Sequence, residues 1–227
     1  MRASPLATVT LPAVLALVAP PVAQAEIRTD RLSGGERKAW KQIVGIVMAV
    51  DSQERPLHPT LRQLWREVES SPHVLHIELR RLDGSSAIAG RFRVEAQGPD
   101  GRLEATLILN LRVIDRVLTG SPDAQLVPFE VLGQAARRAQ VLGHELAHAA
   151  WAFAAPEQAR QAFEAQVAAE RLAFVARTVG TAAPGFGERV EASARLIRRL
   201  EEPALAAEAA VAAELRHGRK AHRALEP

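Results

Sequence analysis

The sequence contains no cysteine and no tyrosine. Without cysteine, the chain cannot form disulfides, thiolate metal sites, a cysteine nucleophile or the lipid anchor of a lipoprotein. Without tyrosine, a catalytic site in this chain has no phenol to donate a hydrogen bond. Charge of one sign is not in large excess either, with 29 Lys plus Arg against 26 Asp plus Glu. A chain this close to balance has no large field to attract nucleic acid, and no nucleic-acid partner is expected.

After residue 25 the sequence also lacks an apolar run long enough to span a bilayer, and it has no internal repeat. What is present is a globular composition, 48% hydrophobic and 24% charged over 227 residues. That length suits one domain with a sizeable core.

Residues 1–25 have the features of a secretory signal peptide. Arg2 is the only charged residue, Leu6–Val18 is apolar, and Ala23 and Ala25 are small residues at the positions that a signal peptidase reads. Cleavage is expected before Glu26, which predicts a secreted or periplasmic protein without a stable membrane anchor after cleavage. A membrane anchor is the weaker alternative, because the apolar stretch is short and interrupted by prolines.

Helical and strand patterns occupy separate blocks of the remaining chain. Apolar residues at helical spacing predict two N-terminal helices, one after Ser33 and one near 59–70. Three β-rich runs follow, at 74–79, 89–96 and 103–111. The turn Pro99-Asp100-Gly101 joins the last two runs as a hairpin.

From Pro128 onward the sequence is Ala-rich and helical. It predicts helices near 128–154, 157–179, 186–201 and 203–217, the last of them restarting at Pro203. The fold class is therefore α+β, with N-terminal helices, a small antiparallel sheet and then C-terminal helices. The fold is expected to occupy residues 26–217, followed by a basic C-terminal tail at 218–227.

The first C-terminal helix carries the motif His144-Glu145-Leu146-Ala147-His148. His144 and His148 are four residues apart, so their imidazoles lie one above the other and can hold one cation from the same side. Glu145 is about 100° further round the helix, too far to be an easy ligand but close enough to reach a water on that cation. This is the H-E-x-x-H arrangement, in which two histidines bind Zn²⁺ and the glutamate is a general base.

This motif resembles that of the zincin metallopeptidases, and among them the gluzincins. As in that family, uncharged residues flank the motif, with Val141 and Ala150 at the two ends. The metzincins fit less well, because Trp151 and Ala154 stand where their pattern has Gly and His. The resemblance covers roughly 103–176 and implies a zincin-like metallopeptidase domain at 26–217. It also implies an edge strand that binds extended substrates, for which the candidate is Ala105–Leu111, and an acidic third ligand on a following helix.

Two glutamates on the following helix are candidates for that third ligand. Glu170 shares an apolar stripe with Phe163, Val167 and Phe174, where a carboxylate is costly unless a cation pairs with it. Glu164 has more polar neighbours, so Glu170 is favoured and Glu164 is the alternative. The run that begins at Glu170 also resembles the gluzincin helix with the acidic ligand, except that Phe174 replaces the usual Asp. A different group must then orient the imidazoles, or they are held less well.

The resemblance implies a zinc-dependent peptidase that acts on peptide or protein substrates. Zn²⁺ would be held by His144, His148 and Glu170, while Glu145 would be the general base. Since tyrosine is absent, the oxyanion would need another donor. The candidates are His217, His222 and an arginine of the C-terminal helices.

A competing interpretation is a secreted binding or structural module with a degenerate or purely structural metal site. A structural zinc site is closed by four protein ligands, whereas a catalytic site keeps one position open. The remaining histidines of the folded part are expected to be structural: His58, His73 and His76.

Overall fold

The computed structural model describes residues 24–81, 88–116, 133–179 and 186–218. The signal peptide and the basic tail expected from the sequence fall almost entirely outside these ranges. For a few residues in the last two ranges, Glu170 among them, the backbone is described but the side chain is not. The described chain has an α+β fold with six helices and a four-stranded sheet, and this fold class was predicted.

The two N-terminal helices form where the sequence predicts them. After a short strand β1 (Glu26–Arg28), helix α1 spans Gly34–Val47 and helix α2 spans Pro59–Glu69. The backbone N–H of Ser33 donates to the Glu36 carboxylate at 2.7 Å. Such a contact gives the first turn of a helix an acceptor that the helix itself does not supply.

The sheet is mixed, so the prediction of an antiparallel sheet was wrong. Strands β2 (Val74–Arg80), β3 (Gly90–Gln97) and β4 (Leu103–Asn110) join β1 in the order β1-β2-β4-β3. β3 and β4 form the predicted antiparallel hairpin, with Gly101 at a φ of 78° in its turn. After β2 the chain skips one position in the sheet and forms β3. It then reverses direction and forms β4 in the position between β2 and β3. This path makes β2 and β4 parallel, as β1 and β2 also are.

The strand predicted at the edge of the sheet does not lie there. The segment predicted at the edge, Ala105–Leu111, corresponds to β4, which lies inside the sheet and fully buries Leu107 and Leu109. Among the described strands, β3 lies at one edge of the sheet and β1 at the other. The exposed Arg91 and Arg93 of β3 alternate with apolar residues that face the core. This alternation is typical of a strand with one solvated face, whereas a strand covered on both faces is apolar throughout.

The C-terminal half is helical, as predicted. Helix α3 (Leu111–Arg116), which the sequence analysis did not predict, follows β4 directly. Helix α4 spans Gln134–Ala154 and helix α5 spans Pro156–Val179. The start predicted for α4 at residue 128 lies outside the described residues. Helix α6 spans Phe186–His217 without a break, so the prediction of two helices separated at Pro203 was wrong.

Packing explains why α6 continues through Pro203. A proline inside a helix removes one backbone hydrogen bond and costs about 3 kcal/mol. Beyond Pro203, however, Val211 and Leu215 are fully buried in the core that α6 shares with α4. Ending the helix at Pro203 would expose these side chains, and tertiary packing overrides the local cost.

Helix α4 is the centre of the fold. It packs against β3 and β4 and against each of the other helices. A Cβ built on Gly143 would lie 2.9 Å from Cγ2 of Val211, so this glycine lets α6 approach the α4 backbone closely. Within the described ranges, no helix combines the length and apolar character needed to cross a membrane.

Candidate metal centre

Two histidines of α4 share one space beside the contact with α6. His144 and His148 are one helical turn apart, and their side chains are 15% and 12% exposed. Their Nε2 atoms lie 3.3 Å from each other. The imidazoles therefore converge, as the spacing of four residues predicts.

Glu201 of α6 completes the cluster. Its Oε2 is 3.2 Å from His144 Nε2 and 3.5 Å from His148 Nε2. A small tetrahedral cation with ligand bonds of about 2.05 Å holds its ligand atoms about 3.3 Å apart. The three atoms thus have the spacing of one face of such a tetrahedron, and this group could hold a metal ion.

A second carboxylate of α6 orients His144. Glu208 lies two turns after Glu201, and its Oε2 is 2.9 Å from His144 Nδ1. The other oxygen, Oε1, accepts a hydrogen bond of 3.0 Å from Gln140. When His144 donates from Nδ1, its lone pair stays on Nε2, which faces the shared space. Glu208 is thus an orienting group of the kind that the sequence analysis required.

The electrostatics of the cluster favour positive charge. Burial opposes protonation of His144, but the hydrogen bonds to Glu201 and Glu208 outweigh this effect and raise the pKa of His144 to about 10. The hydrogen bonds from His144 and His148 lower the pKa of Glu201 to about 2. When no cation is bound, a proton on His144 balances the carboxylates, and a metal ion between the same groups would take over that role.

Glu145 lies next to the cluster. Burial raises the pKa of its carboxyl to about 7, against the lowering effect of His144 and His148. The carboxylate packs against β3 at Gly90, where an added Cβ would lie 2.8 Å from Glu145 Cγ and closer still to Oε1. Packing against the strand therefore limits the positions that this carboxylate can take.

The cluster opens into a cleft of about 890 Å³. Strand β3 lines one side from Gly90 to Gln97, and α5 lines another. Three residues of the motif line the cleft, His144, Glu145 and His148, and α6 contributes Leu200 and Glu201. A cleft of this size accommodates a short peptide segment.

The other candidates for metal and oxyanion binding have different positions. Glu170 lies on α5, but its side chain is outside the described part of the chain, so its role as a ligand stays a prediction. Glu164 also lines the cleft, but its side chain is 64% exposed and pairs with Arg160 at 2.7 Å. His217 is exposed and its Nδ1 lies 2.7 Å from a carbonyl of its own helix, while His222 lies outside the described residues.

The three histidines expected to be structural are buried, and their structural role stays a prediction. His73 accepts the Leu103 N–H at Nδ1 (3.1 Å), and its Nε2 lies 3.0 Å from the Phe153 carbonyl oxygen. His76 pairs with Glu104 at 2.8 Å. His58 is fully buried at the start of α2.

The sequence analysis missed Glu201 and Glu208. It divided α6 at Pro203 and so placed the two glutamates on different helices. On one continuous helix, both belong to a stripe with three buried apolar residues at spacings of three and four: Ala204, Val211 and Leu215. The criterion applied to Glu170, a carboxylate inside an apolar stripe, would have selected both.

Comparisons with protein-family models, with curated proteins and with solved structures found no significant match.

Proposed function

We propose that this protein is a secreted or periplasmic zinc-dependent peptidase. The observation that carries the proposal is the triangle formed by His144 Nε2, His148 Nε2 and Glu201 Oε2, with sides of 3.2 to 3.5 Å. Two imidazoles and one carboxylate are a donor set that suits Zn²⁺, and three protein ligands are the number found in catalytic zinc sites. Among the described residues, the group has these three members, and it faces a cleft.

Three protein ligands leave the fourth coordination position of a tetrahedral metal ion free for water or substrate. In a structural metal site, a fourth protein ligand would occupy that position. The arrangement of two histidines from an H-E-x-x-H helix and a glutamate from a later helix resembles the gluzincins. In this proposal Glu201 is the third ligand, and Glu170 is the alternative that an experiment has to separate from it.

Zn²⁺ at this site would supply an acidified water and polarise a substrate carbonyl. Glu145 would be the general base that takes up a proton from an attacking water and returns it to the leaving amine. Glu208 keeps the His144 imidazole in the orientation that the triangle requires, and Gly90 leaves room for the Glu145 carboxylate next to the strand.

The edge strand supports a peptide as the substrate. Within the described part of the chain, β3 pairs with β4 on one side only, and the cleft runs along the residues of β3 from Gly90 to Gln97. The backbone N–H and C=O groups of an edge strand can pair with an extended peptide, which adds a strand to the sheet. Such pairing would place a backbone carbonyl of the peptide near the metal cluster without requiring a particular side chain.

Metal binding can be tested on the chain from Glu26 to Pro227. Glu201→Ala is expected to lower zinc affinity by more than the roughly 10- to 100-fold that loss of an orienting partner causes. Glu164→Ala is the matched control and should bind zinc as the wild type does. A larger loss in Glu170→Ala than in Glu201→Ala would assign the third ligand to Glu170.

Catalysis can be tested with casein as the substrate, with and without a zinc chelator. Glu145→Gln should keep its zinc and lose turnover by about 10²- to 10⁴-fold. A Glu145→Gln protein with full activity would remove the general base from the proposal. A zinc-loaded wild type that cleaves nothing would favour the structural metal site instead.

A further inference from the structure

An aromatic wall lies beside the metal cluster in the cleft. Trp151 is on α4, three residues after His148, so the two side chains share one face of the helix. The Trp151 ring is 6.3 Å from that of Phe163 on α5, and Phe163 is 5.7 Å from Phe92 on β3. All three aromatic residues line the cleft. The wall therefore connects the two sides of the cleft, starting one helical turn from the cluster.

Two of the three rings remain partly accessible inside the cleft, while Phe92 is buried. Trp151 and Phe163 pack against the core but are only partly buried, and Val94 and Val167 extend the apolar surface. Apolar surface that stays in contact with water gains free energy when another apolar group covers it. The wall thus offers a favourable contact to an apolar group of a bound molecule.

The charged residues of the cleft are largely engaged with one another. Arg160 pairs with Glu157 and with Glu164 at 2.6 and 2.7 Å. Arg93 pairs with Glu95. A charged substrate side chain would have to compete with these ion pairs, whereas an apolar one would not.

Distances along the cleft place the wall next to the bond that would be cleaved. The helical rise of about 1.5 Å per residue puts Trp151 about 4.5 Å along the axis from His148. Successive residues of an extended peptide are about 3.3 Å apart. A peptide whose carbonyl lies at the cluster would thus bring the side chain of an adjacent residue to the wall.

The geometry of an extended peptide limits this contact to one face. Successive side chains of a strand point to opposite faces, and Phe92 and Val94 lie on the face of β3 that looks toward the core. Only those substrate side chains that share the face of Phe92 reach the wall. Their immediate neighbours point away from it.

We infer that Trp151, Phe163 and Phe92 form a subsite for one large apolar or aromatic side chain adjacent to the scissile bond. The substrates would then be peptides with such a residue at that single position and free choice at the positions on either side of it. This inference rests on the proposed peptidase function.

The first experiment needs no variant. The zinc-loaded wild type is incubated with a mixture of synthetic peptides of random sequence, and the cleavage sites are read by mass spectrometry. Enrichment of Leu, Met, Phe and Trp at one position next to the cleaved bond supports the subsite. Cleavage without apolar enrichment, or with enrichment of charged residues, overturns it and leaves the peptidase function in place.

Variants then assign the preference to the wall. Trp151→Ala is expected to lower kcat/KM about tenfold or more for a Phe-containing substrate and to change it little for the matched Ala-containing one. Phe163→Leu keeps most of the apolar volume and should lose preference for aromatic over aliphatic side chains. Phe174→Ala is the matched control, since Phe174 is also on α5 but is 62% exposed and outside the cleft lining. Equal losses for both substrates would overturn the assignment.

A binding measurement separates failure of the subsite from failure of the peptidase function. Zinc-loaded Glu145→Gln protein is titrated with two peptide hydroxamates that differ only in Leu or Ala at the selected position. Binding of the Leu compound about tenfold more tightly supports the subsite even if the wild type cleaves nothing. Equal affinities overturn the subsite, whatever the turnover.

Discussion

A methyl group on Gly143 should weaken metal binding although it touches no ligand. In Gly143→Ala the new Cβ would lie 2.9 Å from Cγ2 of Val211. The Cβ and Cγ1 atoms of Val211 would lie 3.4 and 3.5 Å from it. Carbon atoms in ordinary contact are about 3.5–4.0 Å apart, so Val211 must move by roughly 0.6 Å or more. Because χ1 of a valine in a helix has one strongly preferred value, the side chain cannot turn aside and α6 itself must shift.

The shift acts first on Glu208, which is three residues before Val211 on the same helix. Its hydrogen bond to His144 is 2.9 Å long, and a displacement of roughly 0.6 Å brings it to the limit at which such a bond is lost. Loss of a partner that orients a metal-binding histidine lowers metal affinity about 10- to 100-fold. We therefore expect zinc affinity to fall by at least about tenfold in Gly143→Ala.

The free energy of unfolding should fall by no more than about 2 kcal/mol, because two effects of the substitution oppose each other. Alanine in place of glycine favours the helix by up to about 1 kcal/mol, while overpacking costs about 1–3 kcal/mol. The measurement is competition for zinc against a chromophoric chelator, made on protein shown to be folded by circular dichroism. The double variant Gly143→Ala/Val211→Ala removes the methyl groups that obstruct the new Cβ and should recover most of the affinity. Wild-type affinity in Gly143→Ala, or no recovery in the double variant, would refute the argument that α6 packing positions the site.

Two further predictions concern the proposed general base, Glu145, and the buried His73. Gly90→Ala should displace the Glu145 carboxylate and lower kcat by about 10²-fold or more, while zinc affinity is unchanged. The control is Gly45→Ala, because a Cβ at Gly45 meets no atom within 4 Å. An unchanged kcat would show that Glu145 does not depend on the strand for its position. Burial lowers the pKa of His73, so the unfolded chain binds a proton there more readily than the folded one does. The stability that neutral His73 contributes is therefore fully present above a pH of about 6.5 and is lost as the pH falls through its lowered pKa. Urea unfolding of metal-free protein at several pH values should show that the free energy of unfolding falls less with decreasing pH in His73→Gln than in the wild type. Parallel pH profiles for the two proteins would contradict this.

Local patterns in the sequence were sufficient for most helices and for part of the site. The spacing of His144 and His148 is a property of one helix, so it could be predicted without knowledge of the fold. Glu201 depends on a second helix that the tertiary structure keeps continuous. The error arose at Pro203, where the local preference for a helix start was given more weight than the apolar stripe that runs through it.

The order of the strands shows a similar limit. A tight turn predicts that β3 and β4 are antiparallel, but it does not say which of them pairs with the rest of the sheet. The charges of Arg91 and Arg93 carry that information, because an edge strand tolerates them and a covered strand does not. The parallel pairing of β2 with β4 joins segments far apart in sequence, and no local pattern specifies it.

The ligands of the proposed site belong to two helices, and Glu201 follows His148 by 53 positions in the chain. An ion shared between them would act as a reversible crosslink that closes this long loop and joins α6 to the centre of the fold. Ligand binding to the folded state alone adds about 4 kcal/mol when free zinc is a thousandfold above its dissociation constant. Resistance to heat and to proteases would then follow the supply of zinc, so that a protein short of metal would be more easily degraded and, under the proposed function, inactive as well.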